Sequence, residues 1–213
     1  MKFSILTLFP NMFAPLKESI LKRAQDKGLI EIEIINFRDF SACPHKKVDD
    51  TVYGGGQGML LACQPIYDAL KSIDPGRKAH RVYMCAKGET FTQTKAKELA
   101  AKRKHIVLLC GHYEGVDERV LELCFDERIS LGQFVLTGGE LPAMVLVDAV
   151  ARMVKGVLTS EECYRNESHY DGFLEEPQYT RPQEFMGKNV PEVLMSGNHK
   201  QIEEWRKSNR RKV

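Results

Sequence analysis

The chain has 213 residues, of which 43% are hydrophobic and 28% charged, an ordinary globular mix that excludes disordered, collagen-like and low-complexity chains. That length suits one medium domain, or one domain with a small appendage, and it needs no disulfide staples. The formal charge of +2, from 31 basic and 29 acidic side chains, makes no case by itself for a nucleic-acid partner.

Residues 2–9 are apolar and β-prone and stop at Pro10-Asn11; with one Lys and no small-residue cleavage site they read as a first strand, not a signal peptide. Phe13, Leu16, Ile20, Leu21 and Ala24 recur at helical spacing up to Gly28, and residues 30–34 alternate like a half-exposed strand. Residues 37–58 read as a long, polar, glycine-rich loop. A helix over 64–73 is stopped by Asp74-Pro75-Gly76, and a strand follows over 81–86. Thr92 opens a helix that ends in Lys102-Arg103-Lys104, and 106–110 is a buried strand running into Gly111. Short strands are expected at 128–131 and 134–136, around Gly132, and then an apolar helix over 142–154 with Pro at its start. No apolar run approaches the ~18 residues of a membrane span, so a soluble, cytoplasmic protein with no membrane partner is expected. The six cysteines (Cys43, Cys63, Cys85, Cys110, Cys124 and Cys163) form no C-x-x-C pair, which suits free thiols and argues against a zinc knuckle.

The order β-α-β-loop-α-β-α-β predicts an α/β domain with a mostly parallel sheet and helices on both faces. It spans 1–155. A polar linker is expected over 156–178, and a small helical domain over 179–213. Residues 200–213 hold six basic side chains (Lys200, Arg206, Lys207, Arg210, Arg211, Lys212) against Glu203 and Glu204, which is 6 − 2 = +4, a tail suited to an anionic partner or to a solvated helix end.

Four glycine-bearing loops are candidates for chemistry. Tyr53-Gly54-Gly55-Gly56-Gln57-Gly58-Met59 is neither a P-loop nor a dinucleotide fingerprint, and reads as close backbone approach to a ligand or as a flexible loop. Ala86-Lys87-Gly88, Gly111-His112-Tyr113-Glu114-Gly115 and Leu131 to Glu140 follow strands, where open α/β sheets place their ligand crevice. Together they suit a nucleotide-like cofactor. No metal-ligand cluster is expected.

Four runs carry a resemblance: Val48-Asp49-Asp50 with Tyr53-Gly54-Gly55-Gly56, Gly111 to Arg119, Val135 to Met144, and Pro177-Gln178-Tyr179-Thr180-Arg181-Pro182. In this order, over nearly the whole chain, they resemble the bacterial tRNA (guanine-N1)-methyltransferases of the SPOUT superfamily. The resemblance implies a deep trefoil knot near the cofactor loops, a shortened helical C-terminal domain and an obligate homodimer with active sites at the subunit interface. It also implies methyl transfer from S-adenosyl-L-methionine, with or without Mg2+ assistance, to N1 of the guanine immediately 3′ of the tRNA anticodon. It places the cofactor on Tyr83, Met84, Cys85, Ala86, Gly88, Gly111, Tyr113, Glu114, Leu131, Gly132, Phe134, Leu136, Gly138 and Gly139. Arg152 matches the arginine that steadies charge on the base. Glu167, followed by Ser168 and His169, takes the place where an Asp, Ser and Phe are common. Tyr53, Gly55, Gly56, Tyr179, Arg181, Arg206 and Lys207 are the expected RNA contacts. Asp171, four residues on, competes with Glu167 for the role of base. The rival readings are another knotted RNA methyltransferase and a catalytically impaired RNA-binding relative.

Overall fold

The computed structural model describes residues 1–160, 162–165 and 167–213. The chain divides into two compact units, Met1–Thr159 and Ser160–Val213.

The first unit is built on strands β1 (Lys2–Thr7), β2 (Glu31–Asn36), β5 (His80–Thr90), β6 (His105–Cys110) and β7 (Glu127–Ser130), with the short strands β3 (Asp49–Thr51) and β4 (Met59–Leu61) between β2 and β5. The five long strands form one parallel sheet in the order β2-β1-β6-β5-β7. Its helices are α1 (Ser19–Asp26), α2 (Cys63–Ile73), α3 (Gln93–Lys102), α4 (Glu118–Cys124) and α5 (Glu140–Ala151). The two-residue period of the strands sends alternate side chains to opposite faces. Phe3, Ile5, Val82, Met84, Ile106, Leu108 and Cys110 pack on one side against α1, α3 and α5. Leu6, Tyr83, Val107 and Leu109 pack on the other against α2 and α4. Helices therefore cover both faces, as a parallel sheet requires.

Three local expectations are corrected. Residues 37–58 are not one loop, because β3 pairs antiparallel with β4 and the glycines form the hairpin tip. Strands of three residues, one of them polar throughout, leave no periodic signal. Residues 134–136 form no strand; Phe134, Val135 and Leu136 are 54%, 83% and 39% exposed in a loop that lines a cleft. Finally, β5 runs on to Thr90, with a break in register between Met84 and Glu89 that lets residues 85–88 leave the ladder.

The second unit holds α6 (Glu162–Arg165), the two-residue strands β8 (Phe173–Leu174), β9 (Glu184–Phe185), β10 (Lys188–Asn189) and β11 (Arg211–Lys212), and helices α7 (Glu192–Met195) and α8 (His199–Asn209). Strand β11 pairs antiparallel with β8, so the basic tail folds back onto the expected linker.

Candidate functional site

A cleft of about 350 Å³ opens at the carboxyl ends of β5, β6 and β7, the position open α/β sheets use for ligands. Its walls come from the irregular part of β5, the turn after β6 and the loop between β7 and α5. These three segments are locked together by backbone approach. Gly139 N–H donates to Gly111 C=O at 2.9 Å, and a Cβ on Gly139 would stand 2.7 Å from Cys110 Cα. Tyr83 lies beneath the Gly111 turn, where a Cβ would be 2.8 Å from its hydroxyl, and burial pushes its phenol up to about 12. It therefore stays neutral and offers a hydroxyl at working pH.

Of the expected cofactor residues, Tyr83, Met84, Cys85, Ala86, Gly111, Tyr113, Glu114, Leu131, Phe134, Leu136, Gly138 and Gly139 line this cleft. Gly88 and Gly132 serve it from behind. A Cβ on Gly88 would meet the Arg128–Ile129 backbone at 2.5 Å, so this glycine lets β5 lie close on β7. A Cβ on Gly132 would sit 2.8 Å from the Phe134 ring. Met84 is 2% exposed and is mainly a core side chain. Tyr113 adopts φ 60°, an uncommon conformation for a residue with a Cβ, at the turn that presents Glu114 to the cleft. The close approach of backbone and the volume suit a small, partly planar ligand.

Sequence reasoning missed what backs this cleft. The hairpin tip is fastened to the turn after β6: Glu114 N–H donates to Met59 C=O at 3.1 Å, and Leu61 N–H to Gly115 C=O at 3.0 Å. A Cβ on Gly58 would come 2.6 Å from Glu114 Oε1. Gly54, Gly55 and Gly56 instead have open space around them and positive φ of 87°, 83° and 138°, so conformation and not packing demands glycine there. Tyr53, 95% exposed, stands at the start of this tip. The N-cap of α4, Asp117, is held well below the usual carboxylate range by hydrogen bonds from Arg119.

Arg152 is half-buried at the C-terminal cap of α5, its N–H donating to Asp148 C=O at 3.1 Å. Glu167, in the second unit, is half-buried, and its carbonyl accepts from Tyr170 N–H at 3.3 Å. Asp171 is engaged elsewhere: Arg210 Nη2 reaches both of its carboxylate oxygens, at 2.7 and 2.9 Å. That pairing lowers the Asp171 carboxyl below its ordinary value. The Arg210 guanidinium also lies over the Phe173 ring, 5.0 Å from its centroid. The unit carries a groove of about 1220 Å³ lined by Tyr179, Arg181, Trp205, Arg206 and Lys207 among others. Tyr179 and Trp205 meet there at 6.3 Å with ring planes inclined by 58°.

The family model described as tRNA (Guanine-1)-methyltransferase TrmD matches residues 1–213. The chain is 54% identical over 209 residues to the tRNA (guanine-N(1)-)-methyltransferase of Ruminiclostridium cellulolyticum, covering 97% of this chain and 89% of that protein. It is 51% identical over 211 residues to the protein of that name from Clostridioides difficile, covering 97% and 91%. Against the same-named protein of Staphylococcus carnosus it is 51% identical over 207 residues, covering 97% and 84%. With the whole chain matched and the cleft walled by the residues that carry the likeness, the protein belongs to the tRNA (guanine-1)-methyltransferase family.

Proposed function

We propose that the protein transfers a methyl group from S-adenosyl-L-methionine to N1 of the guanine immediately 3′ of the anticodon in tRNA. The observation that carries this reading is the glycine-walled cleft at the carboxyl ends of β5, β6 and β7, in a chain that matches the family end to end. Bound in that cleft, the donor supplies an electrophilic methyl on a sulfonium. The chain's task is then to expose the guanine N1 lone pair and hold the base in line with that methyl.

Guanine N1 carries a proton at neutral pH, so a carboxylate must take it as the methyl arrives. Glu167 is assigned this role. It is preferred to Asp171 because it holds the position of the family's carboxylate; separately, pairing with Arg210 lowers the proton affinity of Asp171. Negative charge then builds on the ring and O6, where the guanidinium of Arg152 would stabilise it. Arg152 and Glu167 belong to different compact units. The reading also includes, from the family resemblance, a homodimer whose active sites lie at the subunit interface. Its support is the apolar surface beside the cleft, where Leu136, Leu141 and Val145 are 39%, 49% and 47% exposed. The trefoil knot of the superfamily is part of the same reading, resting on the family match alone. Tyr53, Gly55, Gly56, Tyr179, Arg181, Arg206 and Lys207 are assigned to the tRNA, with the Tyr179–Trp205 pair offering a stacking surface. Among the described residues no three His, Cys, Asp or Glu side chains gather as a metal site.

The test is methyl transfer from labelled donor to tRNA transcripts bearing guanine or adenine immediately 3′ of the anticodon. Label at N1 of that guanine alone supports the reading. Label elsewhere favours another RNA methyltransferase, and binding without transfer favours an impaired relative.

A further inference from the structure

Behind the cleft lies a carboxylate that the methyl-transfer chemistry does not call for. Glu140 opens α5 and is 1% exposed, and burying a carboxylate is costly unless hydrogen bonds hold it. The Thr7 hydroxyl donates to its Oε1 at 2.7 Å, and His112 Nε2 bonds its Oε2 at 2.7 Å. A carboxylate only accepts, so His112 carries its proton on Nε2. Thr7 Oγ1 in turn accepts from Phe9 N–H at 2.9 Å, and the Phe9 ring packs against the imidazole with centroids 4.6 Å apart. This chain of contacts joins the end of β1, the turn after β6 and the first turn of α5. Gly138 sits directly on it, since a Cβ there would come 2.5 Å from His112 Cε1 and 2.6 Å from Glu140 Oε2. His112 and Gly138 line the cleft, whereas Thr7 and Glu140 stand behind it.

We propose that the Thr7–Glu140–His112 hydrogen-bond chain is a latch that sets the spacing between the turn after β6 and the turn at Gly138-Gly139. Glu140 and His112 are thereby positioning residues for the methyl donor. The proposal rests on the reading of the cleft as the donor's site. The latch shapes walls and touches no reacting atom. It governs how tightly the donor is held before reaction, and so its KM, rather than the rate at saturation.

The experiment titrates S-adenosylmethionine calorimetrically into the full chain and into His112→Ala, His112→Gln and Thr7→Val, alongside steady-state kinetics and melting curves. His112→Ala is expected to weaken binding by about 10-fold or more, the loss expected from one buried, charge-assisted hydrogen bond, with KM rising in step and kcat near wild type. His112→Gln keeps an N–H donor of similar reach and should recover most of the affinity. Thr7→Val replaces the hydroxyl by a methyl group behind the cleft wall, ending its bonds to Glu140 and to Phe9 N–H, and should weaken binding in the same direction. The double variant Thr7→Val/His112→Ala should lose less than the two single losses combined, because both act through Glu140. Wild-type affinity in a folded Thr7→Val or His112→Ala overturns the latch, and so does a fall in kcat with KM unmoved. If His112→Ala does not fold, Thr7→Val and His112→Gln decide the matter by the same readout. A wild-type protein that binds no donor overturns the cleft reading itself, a result distinct from any variant's.

Discussion

Gly139→Ala is the sharpest test of how the cleft is built. The added methyl carbon would stand 2.7 Å from Cys110 Cα, 2.9 Å from Gly111 N and 3.2 Å from Cys110 C, all backbone atoms with no rotamer to change. Ordinary contact begins at 3.4 Å, so the 131–139 loop must lift by 3.4 − 2.7 = 0.7 Å from the end of β6. The Gly139–Gly111 hydrogen bond of 2.9 Å would then stretch to 2.9 + 0.7 = 3.6 Å, beyond bonding range. Overpacking costs ~1–3 kcal/mol and a lost hydrogen bond ~0.5–1.5 kcal/mol, so about 3 kcal/mol is expected. In a chain of this size that lowers Tm by roughly 6–12 °C and leaves the protein folded. The displaced wall should weaken S-adenosylmethionine binding by at least ~10-fold, for the loss of 1.4 kcal/mol or more of fit. Gly76→Ala is the control. Its Cβ would meet nothing nearer than Lys78 Cε at 3.5 Å, so stability should change by no more than about 1 kcal/mol. Scanning calorimetry and donor titration on the two variants give the comparison. If Gly139→Ala melts and binds like wild type, the two loops are not locked at this point and the cleft geometry is wrong.

Glu167→Gln should cut single-turnover methyl transfer by ~10²–10⁴, the range for losing a general base, while tRNA and donor still bind. Asp171→Asn should cost far less; if it is the dead variant and Glu167→Gln is near wild type, the base is misassigned. Arg206→Ala/Lys207→Ala should weaken tRNA binding and flatten its dependence on log salt by roughly 0.7–0.9 per lost phosphate contact, with donor affinity unchanged. Point changes are preferable to truncation here, because β11 pairs with β8 and Arg210 holds Asp171. An unchanged salt slope would return these two side chains to a solvated helix face. Desolvation depresses the pKa of His105, whose Nε2 lies 2.9 Å from Ser4 Oγ. A histidine depressed in the fold contributes stability above its ordinary value of 6.5 and loses it as pH falls through 6.5 toward the folded value. Denaturation midpoints taken from about pH 7.5 down to 5 should therefore drop, and His105→Gln should remove part of that slope. An identical slope in the variant would show that burial of His105 does not drive it.

The parallel sheet was legible in the chain because its signals are local. Residues 106–110 form an unbroken apolar run, and all five of the residues from Ile106 to Cys110 are fully buried. The glycine loops at 111–115 and 131–140 could be placed at strand ends for the same reason, since a strand's end and a glycine are both visible in a few residues, whereas 86–88 lies within β5, at its break in register. The family motifs added the roles expected of Arg152 and Glu167, which no periodicity announces.

Other features depended on segments meeting in space. The strand expected at 134–136 and the loop expected at 37–58 were both misread, because apolar run length and glycine content do not report which surface a segment faces or whether a partner strand exists. Glu140 stands in the sequence as an ordinary acidic residue at a helix start, yet its burial depends on Thr7, 133 residues away, and on His112, 28 residues away. Nothing local in the sequence announces that Asp171 is held by Arg210, 39 residues away. Period, run length and turn residues act over a few positions and determine which elements form. The partner of a buried charge is set only when packing brings distant elements together, and that is why the tertiary structure, and not the sequence, decided the shape of the cleft and the cation that holds Asp171.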